Sequence, residues 1–309
     1  MQTSDQSAQA SPFRTLKSPL VRVACDLCGS GSYRVVMQKR AVIYDRVFDV
    51  VRCNGCGLVF VNPRLPDDEI GALYDEDYYY GRGFDRTTCY KGNDRRSPED
   101  LAAEYRDVVD TLASAYGSLD GAKVLDVGCG TGGLVRTLRT AGAQAFGVDS
   151  SPAAMQACAE NGTPTLPSLE RMLEDGETFD IVVAMEVIEH ALSPKAFLLE
   201  TKKLVRPGGL LFLTTGNWNL VRHIRGTPYV MPEGHIYYFT PTTLAKYFSV
   251  TGLQTAGAFN RTWVAWRAGG SRLGGLGLPL TRFAASVFSA ILPGYGPFPV
   301  ARRPQSAVK

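Results

Sequence analysis

No stretch of the 309-residue chain is apolar for long enough to span a bilayer, so a membrane-spanning helix is not expected. The first residues carry Ser, Gln and Thr but no apolar run. Nothing there has the form of a secretory signal, and a cytoplasmic location is the expectation. Charge of one sign is also lacking. The formal net charge is +3, too small for a nucleic-acid partner to be expected. Cysteine is sparse and unevenly spent. Four of the seven cysteines sit in two C-x-x-C pairs, and Cys89, Cys129 and Cys158 stand alone. That usage suits a reducing compartment and a metal better than a disulfide framework.

What is present divides the chain into segments. Residues 1–20 read as a disordered tail. Cys25-Asp26-Leu27-Cys28-Gly29 and Cys53-Asn54-Gly55-Cys56-Gly57 then repeat one pattern. Each is a tight knuckle in which glycine permits the turn and two thiolates converge. Two knuckles supply four soft sulfur ligands, the chemistry of a tetrahedral zinc ion held by Cys25, Cys28, Cys53 and Cys56. Four sulfurs leave no open position, so such a zinc is structural. Residues 33–51 and 58–61 alternate as short strands, and the segment 21–62 reads as a zinc ribbon.

Residues 63–118 form a connector. A helix start at Pro66-Asp67-Asp68-Glu69 precedes the aromatic and acidic run 74–80, which packs between domains or covers a ligand. Residues 101–115 have helical spacing.

The most informative stretch is Val124-Leu125-Asp126-Val127-Gly128-Cys129-Gly130-Thr131-Gly132-Gly133. A buried strand, 123–127, runs into a glycine turn and a helix. Gly128, Gly130 and Gly132 let the backbone turn sharply and leave room for a ligand against the main chain. The glycines alone do not choose a nucleotide. Asp126 does more, because a carboxylate just ahead of the turn repels a pyrophosphate but suits a ligand with an ammonium and a sulfonium. S-adenosyl-L-methionine (SAM) is such a ligand.

Strand and helix alternate from there, as in a doubly wound α/β sheet. A second strand, 145–149, ends in Asp149, roughly 20 residues past the turn, where such folds set a carboxylate on ribose hydroxyls. A third strand is expected over 165–169, with Ser168 and Leu169 at the adenine edge. A fourth covers 179–184 and ends beside Met185, another cofactor contact. A fifth covers 210–215, after an Arg206-Pro207-Gly208-Gly209 turn. A helix over 240–247 and an antiparallel hairpin, 253–259 with 262–268, complete a Rossmann-like, seven-stranded sheet.

Val-Leu-Asp-Val-Gly-Cys-Gly-Thr-Gly at 124–132, Gly-Val-Asp at 147–149, Phe-Asp-Ile-Val at 179–182, Glu-Val-Ile-Glu-His at 186–190 and Arg-Pro-Gly-Gly at 206–209 occur in one order. In that order they resemble the class I SAM-dependent methyltransferases. With the zinc ribbon ahead, the chain looks like bacterial enzymes of small-molecule and sugar tailoring. The resemblance covers roughly residues 21 to 268. It implies a SAM-binding domain over 119–268, with SAM held by Asp126, Gly128, Gly130 and Asp149.

Ligands of these sheets lie beyond the carboxyl ends of the strands. After the fourth strand come Glu186, Glu189 and His190, spaced to share one side of a helical turn. His235 precedes the 240–247 helix. Two carboxylates and two imidazoles can hold magnesium, manganese or zinc. The same set resembles the metal site of small-RNA 2′-O-methyltransferases and, in part, that of ubiquinone-pathway O-methyltransferases. The alternatives are one histidine acting alone as base and a structural role. His223, beside Arg222 and Arg225, reads as a solvated or phosphate-facing loop.

Residues 269–309 form an apolar extension. Its core, 280–292, is expected to dock on the fold, form a dimer contact or lie on a membrane surface. Residues 301–304 read as a basic tail. The leading expectation is methyl transfer to oxygen, or to carbon, of a small-molecule, sugar or lipid-linked acceptor. Competing expectations are an RNA methyltransferase reading its substrate through the ribbon, and a non-catalytic SAM-binding scaffold.

Overall fold

The computed structural model describes residues 13–79, 81–85, 97–223, 227, 229–259 and 298–303. Expectations for Cys89, for the 262–268 strand, for Arg225 and for 280–292 fall outside them. Among the described residues, no helix is long and apolar enough to cross a membrane.

The larger sheet is built on β4 (Lys123–Val127), β5 (Gln144–Val148), β6 (Phe179–Met185) and β7 (Val205–Thr214), which run parallel. With β9 (Gln254–Phe259) and β10 (Phe298–Arg302) the order is β5-β4-β6-β7-β10-β9. The strands are apolar on both faces because both faces are covered. Ile181 and Val183 of β6 and Leu210 and Phe212 of β7 join one core with Val108, Leu112, Leu134 and Leu138. Their alternate neighbours Val182, Ala184, Leu211 and Leu213 join a second core with Leu198, Leu204, Leu244 and Phe248. Period-two alternation thus serves two hydrophobic layers.

The helices begin on side-chain caps. α3 (Pro98–Tyr116) starts at a Ser97–Asp100 capping box, α7 (Pro194–Leu204) at Ser193, and α9 (Pro241–Thr251) at a Thr240–Thr243 box. α4 (Gly133–Thr140) follows β4, α5 (Pro152–Glu160) follows β5, and α6 (Leu169–Glu174) precedes β6. The short helices are α1 (Asp67–Gly71), α2 (Glu76–Tyr79) and α8 (Trp218–Val221).

Several expectations are corrected here. The third strand is only a bridge, in which Thr165 lies parallel to Gly147, flanked by bonds from Gly147 N to Pro164 O and from Leu166 N to Gly147 O. Residues 168 onward leave for α6 because Ser168 caps it, accepting from Arg171 N at 3.2 Å. Phe298–Arg302 pairs antiparallel with both β9 and β7. Residues 301–303 are therefore no free basic tail. Arg303 donates to the carbonyls of Lys203 and Val205 at 3.3 and 2.7 Å. The 206–209 segment lies within β7, where the register against β6 shifts.

The N-terminal sheet is β1 (Tyr33–Arg40), β2 (Val47–Cys53) and β3 (Val59–Val61), all antiparallel. Its fourth strand comes from far along the chain. β8 (Tyr237–Tyr238) pairs with β3, setting Val59 opposite Tyr238 and Phe60 opposite Tyr237. The two sheets thus share one hydrophobic core.

Polar contacts fix the same junction. Asp26, inside the first knuckle, accepts from Ser193 Oγ, Lys195 N and Tyr247 Oη at 2.5, 3.0 and 2.9 Å. Glu233 is fully buried, and its Oε1 accepts from the amides of Val42 and Ile43. The N-terminal tail is also shorter than expected. From Phe13 the chain is in place: Arg14 N donates to Ile43 O, and the amides of Lys17 and Ser18 converge on buried Glu69. Composition does not show this, since the bonds use main-chain amides that every residue carries.

The Glu233 clamp gives a stability test. Glu233→Ala strands two amides, each costing about 1–3 kcal/mol when buried without an acceptor. We expect a loss of about 2–4 kcal/mol in urea unfolding. Glu233→Gln, which keeps a carbonyl oxygen, should recover part of it.

Candidate functional site

The glycine turn leaves β4 in the conformation that its residues permit. Gly128, Gly130 and Gly132 have φ of 73°, 55° and 75°, the left-handed region open to glycine. A Cβ on Gly132 would lie 2.3 Å from Thr163 Cγ2, and one on Gly128 would lie 2.6 Å from Val187 Cγ2. The second contact brings the segment after β6 directly over the turn. Asn161, which no motif signalled, supports the turn by donating to Thr131 O at 2.9 Å.

Two carboxylates face this turn. Asp149 Oδ2 accepts from Gly130 N at 2.9 Å and Oδ1 from Ser151 N at 2.8 Å. Burial pushes its carboxyl up, opposed by the amides of Ser151, Gly130 and Ser150. Asp126 is 4% exposed, and burial, with repulsion from Asp149, pushes it up to about 8. Two buried acids that repel each other favour a proton or another positive charge beside them. Cys129 and Cys158 are also buried here, 4.0 Å apart, with Cys158 Sγ donating to Gly130 O. Met185 ends β6 half-buried, opposite Thr214. Ser168 is taken up in capping α6.

Past Met185 the chain makes a turn rather than a helix, with bonds from His190 N to Val187 O and from Ala191 N to Ile188 O. Glu186 sits at φ 56°, a conformation that non-glycine residues seldom adopt. The turn brings Glu189 and His190 against His235. One ligand atom from each lies within 4.8 Å of the others, and the imidazole centroids are 4.5 Å apart. Glu186 is outside this trio but close enough to raise the Glu189 carboxyl by repulsion. Burial is the larger cause, and Glu189 stands well above the usual carboxylate range.

The surroundings orient each member. His235 Nδ1 lies 2.6 Å from Tyr229 O and must donate to that carbonyl, which leaves Nε2 with its lone pair. His190 Nδ1 lies 3.1 Å from Gly234 O and 2.8 Å from Tyr74 Oη. Nδ1 either donates to the carbonyl or accepts from the Tyr74 hydroxyl, and the choice sets which nitrogen of the neutral ring carries the proton. Glu189 Oε1 accepts from Tyr229 Oη at 3.3 Å, while the buried Oε2 has no hydrogen-bond partner among the described residues. Tyr229 is packed face-on over Gly216, whose Cβ, if present, would lie 2.1 Å from the ring. Tyr229 links Glu189 with His235, yet no sequence pattern singled it out.

The aromatic run reaches this site. Tyr74 meets His190 edge-on at 5.7 Å, Tyr78 stacks on Phe84 at 5.0 Å, and Phe84 packs on Gly234.

The four knuckle cysteines converge as well. Their sulfurs lie within 4.8 Å of one another, with Cys25–Cys56 at 3.4 Å and Cys28–Cys53 at 3.5 Å. A tetrahedron of Zn–S bonds of about 2.3 Å has edges of about 3.8 Å, so the cluster suits such an ion. Gly29 and Gly57 take left-handed φ of 73° and 84° behind the knuckles. Burial pushes the Cys25 and Cys56 thiols up. At Cys53 burial is outweighed by amide donors of Cys56 and Gly55 and the neighbouring thiols, which bring it down to about 7.

Comparison with known proteins bears on the larger sheet. A family model described as a methyltransferase domain matches residues 98–256. The chain is 33% identical over 155 residues to a ubiquinone biosynthesis O-methyltransferase of Aromatoleum aromaticum, covering 45% of this chain and 66% of that protein. It is 41% identical over 106 residues to one of Rhizobium etli, covering 32% and 43%. The matches thus span less than two thirds of these relatives. Among solved structures, a SAM-dependent methyltransferase from Archaeoglobus fulgidus is 16% identical with a TM-score of 0.45, covering 69% of this chain and 97% of that one. The family model takes in α3, the glycine turn, Asp149, the Glu189–His190 turn and His235, and the chain belongs to the methyltransferase-domain family.

Proposed function

We propose that the protein is a SAM-dependent methyltransferase that transfers a methyl group to a hydroxyl oxygen of a small-molecule acceptor. The observation that carries this reading is the placement of the Glu189–His190–His235 trio beside the glycine turn, linked through Val187 on Gly128. SAM provides an electrophilic methyl and a neutral leaving thioether. The protein must align donor and acceptor and relieve the hydroxyl of its proton. The relatives named as ubiquinone biosynthesis O-methyltransferases support oxygen as the acceptor atom.

In this reading Gly128, Gly130 and Gly132 leave space for SAM along the main chain, Asp126 faces its cationic end, and Asp149 takes the ribose hydroxyls. Met185 and Ser168 border the cofactor at the ends of their elements. Asp149→Ala removes two charge-assisted hydrogen bonds of about 1.5–3 kcal/mol each. Calorimetry should show SAM affinity falling at least tenfold, and unchanged affinity refutes the assignment. Asp126 adds a pH signature. Its carboxyl titrates at about 8 without ligand, so below that pH a cation must displace a proton on binding. SAM affinity should rise between about pH 6 and 7.5, before the ligand's own amino group titrates. Asp126→Asn should flatten that rise.

At the trio, two imidazoles and a buried carboxylate whose Oε2 has no hydrogen-bond partner among the described residues suit the donor set of a divalent ion. Glu189, His190 and His235 would hold it, with Glu186 as a nearby charge. Such an ion lowers the pKa of a bound hydroxyl. Without one, His190 or His235 takes the proton. His190→Ala and His235→Ala should keep SAM affinity and lose about 10²–10⁴-fold in turnover. Loss of activity on chelation, restored by magnesium, manganese or zinc, supports the ion. Indifference to the chelator leaves the imidazole as the base. Wild-type turnover in both variants removes both versions.

Zinc at Cys25, Cys28, Cys53 and Cys56 would secure the N-terminal sheet. Elemental analysis of protein purified without added metal should give about one zinc per chain. Cys53→Ser should lower both zinc content and thermal stability, and a metal-free protein that is folded and active contradicts this role.

A further inference from the structure

A second cavity lies outside the glycine turn and the histidine trio. It is about 320 Å³ and opens between the N-terminal sheet and α8, lined by Arg34, Val36, Met37, Arg52, Trp218, Arg222 and His223. Its polar lining is all cationic or imidazole. None of the three arginines has an ion-pair partner among the described residues, whereas Arg40, Arg64, Arg171 and Arg206 each do. Arg34 is held to one side by Asn54 Oδ1 at 3.0 Å. Arg222 Nε donates to His223 Nε2 at 3.0 Å, which sets that imidazole as acceptor.

Uncompensated arginines facing one cavity repel one another. Burial and then the charges of Arg222 and Arg34 push the Arg52 pKa down. Such an arrangement lowers stability unless an anion joins it, and planar guanidinium forks match phosphate oxygens. The floor adds an aromatic face. Trp218 is 2% exposed, and its indole N–H has no partner among the described residues.

Trp218 also ties the cavity to the candidate active site. Its ring lies 5.1 Å from Tyr238, Tyr238 lies 6.2 Å from Tyr229, and Tyr229 lies 4.6 Å from His235. Two aromatic rings separate the basic cavity from the histidines.

We propose that this cavity binds a phosphate or diphosphate group of the methyl acceptor, with Arg34, Arg52 and Arg222 as the anion clamp. The inference rests on the methyltransferase reading and adds the acceptor's chemical class: a molecule that carries a phosphate or diphosphate as well as the hydroxyl to be methylated. A nucleoside diphosphate and a prenyl-linked diphosphate present the same group.

The test uses the full chain and begins with inorganic pyrophosphate in titration calorimetry. Wild-type protein should bind it, more weakly as ionic strength rises. Arg34→Gln and Arg222→Gln, both at exposed positions, should each weaken binding about tenfold. Arg222→Lys, which keeps a point charge, should lose less. SAM affinity, measured in the same samples, should be unchanged in every variant. Failure of wild type to bind SAM defeats the methyltransferase reading alone. Failure to bind pyrophosphate, or equal binding by the glutamine variants, overturns the anion clamp. UDP and detergent-solubilised farnesyl diphosphate then distinguish the two sources, the tighter binder naming the handle. With labelled SAM, transfer to nucleotide-linked or prenyl-diphosphate-linked sugars should show a raised KM and an unchanged kcat in Arg222→Gln. Equal transfer to the same sugars without phosphate overturns the handle. If no sugar turns over, the binding comparison alone decides.

Discussion

The pairing of β3 with β8 is the constraint on which the rest of the architecture depends. Two residues, Tyr237 and Tyr238, complete a sheet whose other strands lie some 180 positions earlier, as Phe60 opposite Tyr237 shows. Closing so long a loop costs conformational entropy before any contact forms. Side-chain burial offsets that cost: Phe60 stacks on Tyr237 at 6.2 Å, and Val59, Phe60 and Tyr238 are almost wholly buried. Val61 N also donates to Ile236 O, one residue from His235. The N-terminal sheet therefore holds the strand that follows the histidine. Loss of order there would reach His235 through the main chain, without any side chain being altered at the site.

The same junction accounts for the protonation pattern of the trio. Tyr229 O and Gly234 O face Nδ1 of His235 and of His190 because the 229–236 segment is clamped from both ends. Glu233 ties it to Val42 and Ile43, and Glu189 O accepts from the amides of Ile236 and Tyr237. A backbone carbonyl has no proton to give, so in neutral His235 the bond to Tyr229 O leaves the lone pair on Nε2, whereas at His190 the Tyr74 hydroxyl competes with Gly234 O for Nδ1. The two imidazoles stand beside a carboxylate that burial drives toward its neutral form. A cation at that point would reverse the preference of Glu189, and a proton on it would leave the imidazoles to act alone. Metal and base readings thus compete for one carboxylate oxygen, Glu189 Oε2.

The sequence showed best what is local. The glycine turn, the helix after Thr240 and the four parallel strands follow from period and punctuation within a few residues. Asp149 was legible because the distance from turn to second strand is set by one helix, and its bond to Gly130 follows. Illegible features all join distant residues. Nothing in 237–238 announces a strand that pairs with 59–60, since two residues carry no period. Tyr229 stands alone between unremarkable neighbours. The end of the strand at 298–302 reads in sequence as part of a basic tail, 301–304, because Arg302 and Arg303 suggest solvent. Yet an arginine that donates to the carbonyls of Lys203 and Val205 suits the end of an interior strand equally well.

His223 shows how reading and structure combine. Sequence placed it in a basic loop and left open whether that loop faces water or phosphate. The fold adds Arg34 from β1 and Arg52 from β2, strands of a sheet that sequence assigned to a separate domain. Neither arginine is remarkable in its own segment, where each alternates with apolar neighbours as a surface residue of a strand does. Together with Arg222 they form a field that no carboxylate among the described residues cancels. The junction that positions His235 therefore also assembles the basic cavity. A mobile attachment between the sheets would scatter the two halves of that surface. The extensive burial at the β3–β8 seam is the physical reason that the N-terminal sheet can contribute arginines to a cavity shared with α8.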